Sequence, residues 1–254
     1  MSISAVIIAK NEEKKIKDAI KSVNFCSEVI VIDTGSTDDT VPEARRLGAK
    51  IFTDTSKMNY AAWRNRGLRE SKGEWILYID TDERVTDSLK EEILVKTKQK
   101  SSEVTVYAIP RKNFIFGKEF KWSGQSPDYQ KRLYRKSSLA RWTGRLHEEP
   151  EFSGRLEHLK NPFLHLKHNK LSEMVDKTNE WSDIEASLLF DVDHPPMNVL
   201  RFFSALLREF WLRMIMQLAF LDGALGIIYA IYQVYSKGVT YAKLWELQLK
   251  SKTI

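Results

Sequence analysis

"EWILYIDTDERV", residues 74–85, poses the problem that decides the fold of this chain. Trp75, Ile76, Leu77, Tyr78 and Ile79 form an unbroken apolar run, the pattern of a strand buried on both faces. The run stops at Asp80-Thr81-Asp82-Glu83, three carboxylates within four residues. Like charges that close repel, and carboxylates at the end of a buried strand are costly unless a counter-charge meets them.

Upstream, the same strand-then-helix unit repeats. "ISAVIIAK" (3–10) is a short β-branched apolar run, and 11–23 follows as a helix with Ile16, Ala19, Ile20 and Val23 on one stripe. A second strand ends at Asp33 in "SEVIVIDTGSTDDT" (27–40), and a helix over 38–48 closes at Gly48. "AKIFTD" is a third strand, and 59–73 is another helix ending at Gly73. Repeated units of this length predict a doubly wound parallel sheet with ligands at the carboxyl ends of its strands. Asp33, Asp80 and Asp82 all lie at such ends, so they can share one site. No Gly-x-Gly-x-x-Gly or Walker A pattern follows the first strand, which argues against dinucleotide or P-loop binding.

Composition narrows the class. At 254 residues the chain can bury a sizeable core, and 43% hydrophobic with 29% charged residues is ordinary for a globular protein. A net charge of +6 suits a phosphate-bearing partner, and serves solubility equally well. Nucleic acid is not the expected partner. The one cysteine, Cys26, excludes an internal disulfide and reads as a small buried hydrophobe. No signal peptide is expected, because Lys10-Asn11-Glu12-Glu13 follows the first apolar run at once.

"VIIAKNEEKKIKDAIKSV", "VIVIDTGSTDDT", "WRNRGL" and "WILYIDTDER", in this order and spacing, resemble the nucleotide-sugar domain of family 2 glycosyltransferases. "SPDYQKRLYR", "RLHEEPEF" and "YAKLWELQ" are similar to the bacterial subgroup that includes the lipopolysaccharide inner-core β-1,4-glucosyltransferase. The resemblance implies an α/β fold of the GT-A type: a doubly wound, mixed, mostly parallel sheet with a C-terminal helical membrane-associating extension. It implies a nucleotide-sugar donor, a UDP-hexose in that subgroup, and a divalent metal, Mg²⁺ or Mn²⁺. Asp82 would be the main protein ligand, with Asp80 sharing the metal or binding the ribose, so the metal would be the counter-charge. The alternative is a helix N-cap flanked by solvated acids, since "TDERVTDSLKEEI" can open a helix. Ala9, Asn11 and Glu12 match positions that line the nucleoside, and Asp33 matches the acid that binds uracil or ribose. Arg64 is a pyrophosphate or base contact, or else a surface arginine on its helix.

Beyond residue 103 the pattern changes to strand-like segments punctuated by Pro110 and Gly117, then a stretch dense in arginine and aromatics. Inverting transfer needs a general base for the acceptor hydroxyl. Asp128 is the first choice by position and Glu148 the rival; the alternative for each is a salt bridge with a neighbouring arginine. His147 is a candidate third metal ligand or phosphate contact, and Gln130 and Arg132 candidates for acceptor or diphosphate binding. His165 and His168 read as structural or surface histidines near a strand end, with no complementary acid nearby.

The expected division is a GT-A domain over 1–195, comprising a nucleotide-sugar half (1–103) and an acceptor half (104–195), then a helical region over 196–254. In that region 198–221 sets Arg201, Arg208 and Arg213 among Phe, Leu and Trp, the composition of a helix in a bilayer interface. Residues 223–235 are apolar but span only about 20 Å as a helix, short of the roughly 30 Å hydrocarbon core. Asp222 interrupts any longer span, and Lys237, Lys243, Lys250 and Lys252 suit anionic headgroups. A monotopic or re-entrant hairpin on the inner membrane face of the cytoplasm is therefore expected; a helical pair packed on the catalytic domain or on another subunit is the alternative. The acceptor expected is a lipid-linked glycan such as lipopolysaccharide core, with polyprenyl phosphate as runner-up and a non-catalytic sugar-nucleotide-binding scaffold as the alternative outside catalysis. A homo-oligomer is compatible with all of these.

Overall fold

The computed structural model describes residues 1–55, 59–99, 103–144 and 148–251. The chain forms two compact units, Met1–Lys112 with Asp128–His165, and Asn113–Pro127 with Leu166–Ile254.

In the first unit, β1 (Ile3–Ala9), β2 (Glu28–Asp33), β3 (Lys50–Thr53) and β4 (Trp75–Asp80) form a parallel array in the order β3-β2-β1-β4. Helices α1 (Glu13–Ser22), α2 (Thr40–Arg46) and α3 (Tyr60–Glu70) connect these strands. The near-continuous burial of β1 and β4 explains their apolar runs, since each carries helices or loops on both faces. Alternate residues enter different cores. Ala5, Ile7, Leu77 and Ile79 pack with Ile16 and Ala19 of α1, whereas Val6, Ile76 and Tyr78 pack with Ala61 and Trp63 of α3. Gly67 lets α3 approach β1: a Cβ there would lie 2.3 Å from Val6 Cγ1. The register pairs Ala9 with Asp33 and Ile8 with Asp80, which brings the carboxyl ends of three strands level.

After β4 come β5 (Glu83–Val85), α4 (Asp87–Thr97) and β6 (Val104–Ile115). The sheet is mixed: β8 (Tyr129–Arg135) runs antiparallel to both β4 and β6, and β11 (Arg155–His158) joins β6 in parallel. β9 (Leu139–Thr143) and β10 (Glu149–Phe152) form a two-stranded ribbon, while β12 (Phe163–Leu166) pairs antiparallel with β5. The helix after the acidic turn therefore starts later than an N-cap at Asp80–Asp82 requires. Thr86 is the cap, its hydroxyl accepting from Leu89 N at 3.2 Å, and the intervening residues form β5.

In the second unit, the end of β6 pairs with β7 (Lys118–Phe120) across a turn in which Phe116 and Gly117 both have positive φ. Helix α5 (Leu171–Asp191), read above as acceptor half, belongs to this unit. It binds α7 (Ala224–Lys250) through Tyr232 OH to Met174 O at 2.8 Å and Lys243 Nζ to Asp183 at 2.8 Å. Helix α6 (Val199–Trp211) runs into a π-helical turn over Leu212–Met216 and a 3-10 turn over Ala219–Asp222. Asp222 does lie between α6 and α7, in the turn that separates them, yet it is not exposed. Buried at 3% exposure, it accepts from Lys121 N, Trp122 N and the Ser123 hydroxyl. The apolar stretch 223–235 is not a short helix either; it begins the 27-residue α7, whose later turns carry Lys237 and Lys243. Among the described residues no helix is long and apolar enough to cross a membrane.

Candidate active site

Two loops meet at the carboxyl edge of the parallel strands. Thr34 N donates to Ala9 O at 3.0 Å, and Asn11, at φ +53°, accepts from Thr37 N at 2.8 Å and donates its own N–H to Ser36 Oγ. Glu12 N donates to Thr40 Oγ1 at 2.7 Å, while its side chain pairs with Lys15. Asp33 is 4% exposed and accepts from the N–H groups of Gly35 and Ser36, so this carboxylate already shapes its own turn. The four residues expected at the nucleoside are thus gathered on one edge. A carboxylate has lone pairs beyond these two bonds, so Asp33 keeps acceptor capacity for a ribose hydroxyl or an imide N–H.

The acidic turn is answered first by arginines. Arg132 Nη2 donates to Asp80 Oδ2 and, at 3.0 Å, to Glu83 Oε1. Arg64 Nη2 lies 3.7 Å from Asp80 Oδ1, and its Nε donates to Glu148 Oε1 at 2.6 Å. Arg111 reaches Glu83 at 3.4 Å and grips Asp128 Oδ2 through Nε and Nη2, both at 2.8 Å. The result is an alternating ladder, Glu148–Arg64–Asp80–Arg132–Glu83–Arg111–Asp128. The chain supplies counter-charge of its own, where the sequence reading assigned that role to a metal alone. Burial acts to raise the Asp80 pKa, but Arg132 and Arg64 outweigh both burial and the Asp82 charge and hold it below the usual carboxylate range. Burial likewise disfavours the Arg132 cation, and Asp80 and Glu83 more than restore it. Arg64 is no surface residue: its guanidinium stacks 4.8 Å from the Trp142 ring centroid and 5.4 Å from that of Tyr78.

The turn itself is pinned from two sides. Asp80 N donates to Glu83 Oε2 at 2.9 Å, and Arg84 Nη1 donates to the carbonyls of Thr81 and Glu83, both at 2.7 Å. Asp82 stands apart from the ladder, with His165 Nε2 3.5 Å from its Oδ2. The β5–β12 register that pairs Glu83 with His165 creates this contact, so His165 does have a complementary acid. Glu83, Arg111 and His165 are the site residues that sequence reasoning missed. His147 lies outside the described residues.

A cavity of about 310 Å³ opens beside the ladder, lined by Arg64, Tyr129, Gln130, Arg132, Trp142 and Glu148 among others. Asp128 does not line it; Gln130 Nε2 and Arg111 occupy its two oxygens.

A divalent cation can be tested against these residues. The ladder holds four carboxylates against three guanidiniums, so one negative charge is left over; Asp82 lies beside it, in the field of Arg84 and near His165. Among the described residues no cluster of three or more His, Cys, Asp or Glu could hold a metal unaided. The surplus carboxylate fits a hard ion bound by one or two carboxylates and completed by substrate phosphates and water.

The family described as Glycosyl transferase family 2 matches residues 4–153, a span holding every site residue named above except His165. The chain belongs to this family. It is a glycosyltransferase, of the class that takes its sugar from a nucleotide sugar. An uncharacterized glycosyltransferase of Rickettsia conorii is 28% identical over 99% of this chain and 93% of its own length. The lipopolysaccharide core biosynthesis glycosyltransferase LpsC of Rhizobium meliloti is 26% identical over 73% of this chain and 71% of its own. Among solved structures, glucosyl-3-phosphoglycerate synthase from Mycobacterium tuberculosis, in complex with Mn²⁺ and UDP-glucose, aligns with a TM-score of 0.48. That match is 18% identical and covers 76% of this chain and 80% of the other.

Proposed function

We propose that this glycosyltransferase moves a hexose from a UDP-linked donor, with inversion, to a membrane-anchored glycolipid such as lipopolysaccharide core. The observation that carries the donor half is the Asp80–Asp82 turn, set level with Asp33 at the strand ends and left with excess negative charge by its own arginines. Ala9, Asn11, Glu12 and Asp33 receive the nucleoside. Asp82, with Asp80, holds Mg²⁺ or Mn²⁺ against the diphosphate. That ion offsets the charge the leaving nucleoside diphosphate develops. The Arg64 and Arg132 guanidiniums that line the cavity hold the diphosphate or the acceptor in place.

Of the two candidate bases, Glu148 is the better placed. It lines the cavity, and among the described residues its hydrogen bond is to Arg64 through Oε1, which leaves Oε2 for the proton of an acceptor hydroxyl. Asp128 is better suited to fixing Arg111. Support for a membrane-anchored acceptor comes from the apolar residues that α6, the turns after it and the start of α7 leave exposed.

The test is calorimetric binding and turnover of UDP- and GDP-sugars with Mn²⁺, Mg²⁺ or EDTA, in wild type and Asp82→Ala. Metal-dependent binding of one sugar nucleotide, lost in Asp82→Ala, is expected. Binding that ignores both the metal and Asp82 would refute the site; no binding in any condition would refute the donor reading altogether.

A further inference from the structure

Glu83 is the most buried acid of the site, at 0% exposure, and does not line the cavity. Its contacts are divided. Oε2 accepts from Asp80 N at 2.9 Å, and Oε1 accepts from Arg132 Nη2 at 3.0 Å and Arg111 Nη1 at 3.4 Å. One carboxylate thus sits between two arginines, each of which also serves a second acid: Arg132 serves Asp80 and Arg111 serves Asp128. A buried acid in this position is costly by itself and does not react, so its effect is on its neighbours.

We propose that Glu83 is a positioning residue that sets the cation affinity of the acidic turn by withholding Arg132 from Asp80. It rests on the reading that Asp80 and Asp82 hold a divalent ion. Arg132 meets both acids through a single nitrogen, Nη2, with Asp80 the nearer, so Glu83 takes a share of a guanidinium that Asp80 would otherwise draw on more fully. Arg64 approaches Asp80 no closer than 3.7 Å, because its Nε is committed to Glu148. Remove the charge at Glu83, and Arg132 loses its competing acid. The guanidinium then turns fully onto Asp80, the geometry in which a carboxylate and an arginine bind most strongly. The turn loses negative charge twice over, once at residue 83 and once through tighter pairing of Asp80. A cation is then held less well, while an anion is held no worse.

That opposition of signs separates this role from a merely structural one. In Glu83→Gln, which keeps an acceptor for Asp80 N, Mn²⁺ affinity is expected to fall about ten-fold or more, the usual scale for an outer-shell partner of a metal ligand. UDP affinity in EDTA is expected to stay level or rise. The measurements are free Mn²⁺ by electron paramagnetic resonance and UDP by calorimetry, on the full chain. Since the single variant leaves Arg111 to Asp128 alone and adds net positive charge to a buried site, Glu83→Gln/Arg111→Gln is measured beside it. It removes one charge of each sign and still releases Arg132, so it is expected to fold and to show the same weakened Mn²⁺ binding.

Wild-type Mn²⁺ affinity in the double variant would overturn the proposal, as would parallel loss of Mn²⁺ and metal-free UDP binding. A double variant that cannot fold would also overturn it, because Glu83 would then serve the fold through more than its two arginines. Mn²⁺ alone reads this proposal even if UDP does not bind, an outcome that would refute the donor reading only. Wild type that binds no Mn²⁺ would refute both.

Discussion

Glu148 and Asp128 each face an arginine, and the difference between them lies in how many of their lone pairs the protein uses. Arg111 and Gln130 engage both Asp128 oxygens, while Arg64 engages one oxygen of Glu148. Glu148→Gln keeps the shape and a hydrogen bond to Arg64 but cannot take a proton. Single-turnover transfer is expected to slow by about 10²- to 10⁴-fold, with donor binding little changed. Asp128→Asn is expected instead to cost about 1–3 kcal/mol of stability through a half-compensated Arg111, visible in denaturant unfolding with the rate largely kept. A reversed pattern would make Asp128 the base. The acids of this site were legible in the sequence because carboxylates closing an apolar strand need an explanation. Their partners were not. Arg64 and Glu148 are 84 residues apart and Arg132 and Asp80 are 52 apart, and no local pattern encodes which arginine meets which acid.

At the scale of elements, legibility follows burial. β1, β2 and β4 announce themselves because a parallel strand covered on both faces must be apolar throughout, and α1 because one stripe of it is. β5 and β12, three and four residues long, are too short to show any period. Their pairing turned an apparent helix cap into a strand and brought His165 to Asp82. The parallel array is also tied at its other end. Glu28, opening β2, accepts from Ser4 Oγ, Lys72 N and Lys50 Nζ, each at 2.6 Å. Burial acts to raise its pKa, but the bonds from Lys50, Ser4 and Lys72 prevail and bring it down to about 2 from 4.5. A carboxyl whose folded pKa is depressed stabilises fully above its unfolded value and loses that contribution as pH falls through the folded one. Unfolding midpoints are therefore expected to drop between about pH 5 and about pH 2, and to drop less steeply in Glu28→Gln. Equal slopes in the two proteins would show that these strand ties contribute nothing to acid stability.

For the molecule as a whole, the unusual feature is where the apolar surface lies. Among the described residues, fifteen of the twenty-four exposed large hydrophobic side chains fall between Val199 and Tyr235, including Leu200, Phe203, Leu207, Trp211 and Met216. The two acids of that stretch are withdrawn: Glu209 is paired with Arg213 at 2.7 Å, and Asp222 is buried. Arg208 stays exposed. A stretch that is apolar and cationic, with no free acid, suits an anionic lipid surface better than a second copy of itself, which would set like charges against each other. At about 20 Å, α6 is long enough to lie along an interface and too short to cross one. Sedimentation with vesicles containing anionic lipid is expected to carry the wild-type chain down, and added salt to weaken the binding without abolishing it. Leu207→Glu replaces an exposed apolar side chain, whose burial in the interface would be worth about 1.5–3 kcal/mol, by a charge that the headgroups repel. Binding is expected to fall by at least about ten-fold, with the soluble transfer reaction unaffected. A chain that ignores such vesicles yet dimerises in sedimentation equilibrium, with Leu207→Glu monomeric, would assign the same apolar residues to contact between copies.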